Sequence, residues 1–149
     1  MKKSINNPNV LSEIYERIDK LKSDTKGKWG KMNVNQMMCH VRTAANFAFE
    51  ESIPDKKPGF FNKTILKWML FNIPPPKNSK TYKDLDMVTK GINPPDFNIE
   101  MKKLKDVFGK ISASNGPFKS NPLLGDLTKS EWGIICYIHA DYHLKQFSA

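Results

Sequence analysis

The stretch Thr128-Lys129-Ser130-Glu131-Trp132-Gly133-Ile134-Ile135-Cys136-Tyr137-Ile138-His139-Ala140-Asp141-Tyr142-His143-Leu144-Lys145-Gln146-Phe147 decides the fold. Thr128 followed three residues later by Glu131 is a capping box, two side chains that satisfy backbone groups at the start of a helix. Trp132, Ile135, Cys136, His139, Tyr142, His143 and Gln146 then recur at steps of three and four, the period of one helix face. A helix over 128–147 places His139 and His143 one turn and about 40° apart, with both imidazoles on one side. Asp141, about 160° around the axis from His143, is expected to face solvent.

A second helix is predicted from Asn33, whose side chain can cap it while Gln36 answers from three residues on, to about Phe49 or Glu50, before Ser52 and Pro54. It carries His40, the third and last histidine of the chain, among Gln36, Met37, Thr43, Ala44 and Phe47. A histidine on a mostly apolar stripe must bring a partner or a ligand with it. Taken singly, each histidine reads as a core residue hydrogen-bonded to protein groups, and the residues alone leave that alternative open for all three. Taken together they read as nitrogen ligands for a divalent metal, because a chelating pair gains much from a third imidazole on a facing helix. Gln36 and Thr43, each about one turn from His40, and Cys136, one turn before His139, are candidates to line the pocket. Cys136 is also a candidate extra ligand or redox-sensitive thiol, though a core role is favoured.

Two further helices are predicted. One starts at Asn7-Pro8, a cap followed by proline at the first helical position, and buries Val10, Ile14, Ile18 and Leu21, with Gly27 closing the region. The other spans 98–112 with Ile99, Leu104, Val107, Phe108 and Ile111 as its apolar set, before Ser114-Asn115-Gly116-Pro117 stops it. Between the second and third helices, residues 51–97 hold seven of the ten prolines, so continuous helix is excluded there. Within that stretch 60–71 is a short helical candidate, with Phe60, Phe61, Ile65, Trp68 and Met69 on an apolar arc and Lys63 and Lys67 opposite. Its expected use is as a cap on the core or a subunit contact. The expected fold is therefore all-α, a four-helix bundle with a long Pro-rich crossover between the second and third helices.

The chain of 149 residues fits a single domain, 1–149, able to bury roughly two-thirds of its unfolded surface. No apolar run reaches the ~18 residues of a membrane span, and Met1-Lys2-Lys3 leads into polar Ser4, Asn6 and Asn7, so a cytoplasmic protein without a membrane partner is expected. Cys39 and Cys136 suit reduced core thiols better than a disulfide framework. The net charge of +9 comes from lysines scattered along the chain without interleaved aromatics, which reads as a solvated basic surface and not as a specific nucleic-acid site. Ala140 stands where His-Glu-x-x-His has its glutamate, which excludes the zincin peptidase mechanism.

Trp29-Gly30-Lys31-Met32-Asn33-Val34-Asn35-Gln36-Met37-Met38-Cys39-His40, Leu127 to Gly133, and His139 to Phe147 together resemble the DinB-like superfamily of metal-dependent enzymes, in particular a branch of unknown function. The resemblance implies a four-helix bundle in which His40, His139 and His143 bind a divalent metal, zinc or nickel first among candidates, and leave positions for water or substrate. It also implies a small-molecule substrate, with a low-molecular-weight thiol as co-substrate, since some relatives are thiol-dependent transferases or isomerases; a homodimer is a candidate assembly. In that branch a histidine often stands where Asn121 precedes Pro122 here. Two readings follow: a thiol S-transferase or hydrolase, and a non-catalytic metal- or ligand-binding sensor.

Overall fold

The computed structural model describes residues 2–50, 58–79 and 81–149. These residues form five α-helices and no strand: α1 Pro8–Asp19, α2 Val34–Asn46, α3 Lys67–Asn72, α4 Phe97–Ala113 and α5 Lys129–Gln146. A π-helical turn, Asn62–Leu66, runs into α3, a 3-10 turn covers Lys83–Leu85, and Asn121 and Gly125 make an isolated bridge. None of these helices is long and apolar enough to cross a membrane. Ser52 and Pro54, expected to follow α2, lie outside the described residues.

The helix starts obey local chemistry. Asn7 accepts hydrogen bonds from the Asn9 and Val10 amides ahead of Pro8, and Asp96 does the same for Ile99. Asn33 with Gln36, and Thr128 with Glu131, close full capping boxes. At its far end α2 stops earlier than its apolar pattern suggests: it ends at Asn46, whose carbonyl takes the amides of both Phe49 and Glu50 in a turn.

The core is the meeting of four apolar stripes. α2 packs along α4, and α5 touches α1, α2, α3 and α4. Ile14 and Ile18 from α1, Met37, Met38 and Val41 from α2, Leu104, Phe108 and Ile111 from α4, and Trp132, Cys136 and Leu144 from α5 are all buried. Burying side chains of this size is the main favourable contribution, about 1.5–3 kcal/mol each. The N-terminal segment joins α5 directly. Ile5 is fully buried and its amide bonds the Gly133 carbonyl, and a Cβ on Gly133 would stand 2.4 Å from atoms of both Ser4 and Asn6, so only glycine lets the chain lie so close.

Two apolar assignments turn out differently. Ile99 is 51 % exposed, because it shares its side of α4 with Lys103, Asp106 and Lys110, while the inward line is Glu100, Leu104, Val107, Phe108 and Ile111. Glu100 is tolerated inside because its carboxylate receives Arg42 Nε at 3.0 Å and Lys103 Nζ at 3.1 Å. In the 60–72 segment the expected arc is reversed: Phe60, Phe61, Ile65, Trp68 and Met69 are exposed, and Leu66, Leu70 and Phe71 pack on the core instead. A π turn at Asn62–Leu66 interrupts the 3.6 spacing on which the arc rests, for the residues that follow it. Lys67 therefore lies against the protein, while Lys63 stays exposed. Lys67 pairs with Glu131 in the first turn of α5 at 2.6 Å, and the stem of Lys63 runs past Gly125.

These placements predict unequal costs along one helix. Leu104→Ala should lower stability by about 2–5 kcal/mol and Ile99→Ala by less than about 0.5 kcal/mol, read from urea midpoints at constant m. Equal losses would mean that α4 is rotated from the orientation described.

Candidate metal centre

His40 is brought into the core by α2 and is 3 % exposed. It faces His139 and His143 of α5, and the three rings form a near-regular triangle with centroids 4.7–4.8 Å apart, each pair inclined by 71–73°. One ring nitrogen from each lies within 4.8 Å of the others. The three histidines are thus close enough to hold a metal ion, and no other such group of histidine, cysteine or acidic side chains occurs among the described residues.

The ring protons are set by what surrounds them. His40 Nδ1 lies 2.8 Å from the Leu85 carbonyl, which can only accept, so this nitrogen carries the proton and Nε2 keeps its lone pair. His143 Nδ1 likewise donates to Gln146 Oε1 at 2.8 Å. His139 Nε2 stands 2.9 Å from His40 Nε2, and since the latter is an acceptor, His139 donates across the gap. Burial is the first cause that lowers the basicity of all three. His40 falls below the usual histidine range, partly restored by Leu85 and by the Asp86 charge. His139 falls far below it, with His40 and His143 adding to the burial effect, and His143 falls to about 3, partly offset by Gln146. All three are therefore neutral at pH 7, the protonation state in which imidazole binds metals. This donor set, three neutral imidazoles with two rings oriented by fixed acceptors, has the chemistry to hold a metal ion.

The triad borders a cavity of about 560 Å³ between α2, α4, α5 and the segment before α4. The volume is that of a small-molecule site. Cys136 is in its wall, buried, with the thiol pushed up to about 12 by burial alone, so by itself it stays protonated at neutral pH, and it is not among the side chains close enough to share an ion with the histidines. Gln36 and Thr43 do not line the cavity. The Gln36 side chain is spent on the Asn33 cap and the Ile92 carbonyl, and the Thr43 hydroxyl bonds back to the Cys39 carbonyl at 2.7 Å. Asp141 is not in free solvent either: its carboxylate holds Arg17 of α1 at 2.8 Å and Lys145 at 2.7 Å, because the far side of α5 is covered by α1. Asn121 lies in the cavity wall, but its Oδ1 is taken by the Leu123 and Leu124 amides.

Two groups that orient the triad had no distinct signal in the sequence. The Leu85 contribution is a backbone carbonyl delivered by the Pro-rich segment, and no residue type announces it. Gln146 shares the histidine stripe, yet its role depends on the Trp29 loop folding back on it. Gln146 Nε2 donates to the Trp29 carbonyl at 2.6 Å, which leaves Oε1 facing His143. Gly30 allows this, with φ +80 and a hypothetical Cβ only 2.5 Å from Gln146 Nε2.

In metal-free protein, kept so by a chelator, stability should fall with acid. The unfolded chain protonates its histidines through about pH 6.5, while the folded chain resists down to about pH 3 at His143, so the contribution is whole above 6.5 and is lost as pH drops. The urea midpoint should decline between about pH 6.5 and 5, before carboxylates titrate, and less steeply in His143→Gln. A midpoint flat over that window would mean that the imidazoles are solvated.

Comparison with curated proteins and with solved structures finds no match for this chain. One family model, described as "Protein of unknown function (DUF1569)", matches residues 2–149, and on that near-complete match the chain belongs to this family.

Proposed function

We propose that this chain is a metal-binding protein of the DinB-like kind, a single four-helix-bundle domain of α1, α2, α4 and α5 with the Pro-rich stretch between α2 and α4 as its crossover. In this reading His40, His139 and His143 hold one divalent ion and the protein acts on a small molecule as a metal-dependent enzyme of thiol S-transferase or hydrolase type. One observation carries the reading: the chain's three histidines, from two helices a hundred residues apart, meet at the wall of one cavity close enough for one ring nitrogen of each to reach a common ion.

A bound divalent ion supplies Lewis acidity, which lets a thiol or water ionise near neutral pH. The protein's own residues do the rest. Leu85 and Gln146 fix two imidazoles by holding the Nδ1 protons, which costs no reorganisation when the site is used. The apolar wall keeps bulk water from competing. Cys136 stays a neutral thiol, so the nucleophile must arrive with the substrates. The absence of an ionised nucleophile among the side chains beside the histidines favours the second reading, a sensor or interaction module that binds metal and ligand without turnover.

Tagless protein should bind about one zinc, nickel or cobalt ion per chain by elemental analysis and titration. Single His→Ala variants should weaken binding by at least tenfold, and the triple variant should abolish it. Stoichiometric binding in the triple variant would overturn the assignment. With metal loaded, thiol addition to small electrophiles or hydrolysis that fails in His40→Ala supports the enzyme, and equal rates in both proteins support the sensor.

A further inference from the structure

Away from the cavity, one face of the molecule is apolar and uncovered. Phe60, Phe61 and Trp68 are 82 %, 56 % and 60 % exposed, and Ile65, Met69 and Ile73 are exposed as well. Phe61, Ile65, Trp68 and Met69 are three and four positions apart on one helical segment, so their side chains adjoin. The three aromatic residues alone leave roughly 400 Å² open to water, and apolar patches beyond a few hundred Å² mark contact surfaces. The segment is held from behind: Leu66, Leu70 and Phe71 pack on the core, Lys67 pairs with Glu131, and Asn62 Nδ2 donates to the Leu123 carbonyl at 3.3 Å. The face therefore meets an occupant already formed, without the ordering cost that weakens flexible binders.

Charge and polar satisfaction narrow the occupant. Residues 58–79 contain Lys63, Lys67 and Lys77 and no acidic residue; Lys63 is exposed, and Lys2 Nζ reaches Asn72 Oδ1 at 2.9 Å at the far end of the patch. Glu131, the carboxylate that meets the segment, is spent on Lys67 and on the amide and hydroxyl of Thr128. With +9 on the chain, a second copy on this face would bring like charges together, whereas an anionic surface is attracted. The polar side chains among the apolar ones are turned back on their own helix: Thr64 Oγ1 donates to the Phe60 carbonyl at 2.7 Å and Asn72 Nδ2 to the Trp68 carbonyl at 2.6 Å. Groups bonded in this way cost less to bring out of water than open ones. Trp68, an apolar ring with one N–H, suits a boundary between an apolar phase and water.

We propose that this face docks on the surface of an anionic lipid bilayer, with Phe60, Phe61, Ile65, Trp68 and Met69 seated at the acyl boundary and Lys63 and Lys2 at the anionic headgroups. The expectation of no membrane partner rests on the want of a spanning run, which a helix lying in the interface does not need. Apolar insertion supplies the hold and the lysines supply the preference for anionic lipid. The proposal stands apart from the metal reading and does not depend on it.

The test is co-sedimentation of the intact chain with vesicles of phosphatidylcholine alone, or with about one third phosphatidylserine, at low salt. The protein should bind the anionic vesicles at least tenfold more tightly. Vesicles with brominated acyl chains should quench its tryptophan emission, and the quenching should be lost in Trp68→Phe. Phe60→Ser combined with Ile65→Ser, two exposed positions that should leave the urea midpoint unchanged, should weaken binding at least tenfold. Lys63→Gln should weaken it about fivefold, the worth of one lysine at an anionic surface. Adsorption by net charge alone would appear as binding without quenching that persists in the double serine variant, and it would overturn the proposal. Equal binding to both kinds of vesicle, or binding to neither, would also overturn it. So would a lipid-free dimer at sedimentation equilibrium that the double serine variant dissociates, which would assign the face to a second copy.

Discussion

Bringing three imidazoles together, His40 and His143 buried and His139 half-buried, with no carboxylate against any of their ring nitrogens, is the constraint on which the site's architecture depends. Ionised, they would repel one another in a wall that offers little solvation; neutral, each must still place its N–H somewhere. The fold answers with one acceptor per proton: the Leu85 carbonyl for His40, the Gln146 amide oxygen for His143, and His40 itself for His139. Each of those answers requires another part of the chain to be in place. The 3-10 turn at Lys83–Leu85 has to sit against α2, and the loop at Trp29 has to hold Gln146 from its other side.

The Pro-rich region is for this reason more than a connection. Because its prolines break continuous helix, several of its backbone carbonyls are left outside regular structure and serve the rest of the protein. Ile92 and Pro94 carbonyls take the Gln36 and Asn35 side chains, Leu85 takes His40, and Pro76 takes the Tyr142 hydroxyl. A long loop ordinarily costs entropy without return. Here its ordering is coupled to the cap of α2, to His40 of the triad and to Tyr142 beside it.

What could be read in advance divides along physical lines. Helix starts were legible, because a capping residue and its partner three positions on act locally: Asn7, Asn33 with Gln36, and Thr128 with Glu131 all do what their spacing implies. The three histidines were legible as a group because they are few and sit on apolar stripes. Ile99 and the 60–71 arc were not, since hydrophobicity gives a face only where the helix is regular and the competing stripe is weaker. A buried, doubly paired Glu100 and a π turn each break that condition. Gln36 and Thr43 share His40's side of α2 in projection, but capping and backbone hydrogen bonds claimed them first. The Leu85 carbonyl and the Trp29 loop lie beyond sequence periodicity altogether, because they act through tertiary contact.

The Trp29 loop has one more consequence. Its carbonyl holds the amide that orients His143, while its indole leans edge-on against Tyr142 at 6.0 Å, donates to the Tyr142 hydroxyl at 3.4 Å and carries the Lys77 ammonium 4.9 Å from its ring. Tyr142 in turn meets His143 at 5.0 Å. An indole so placed, half-buried between a phenol and a cation, emits light according to small movements of either neighbour. The molecule therefore contains its own optical gauge of the histidine site, one that reports from the backbone loop and needs no label attached.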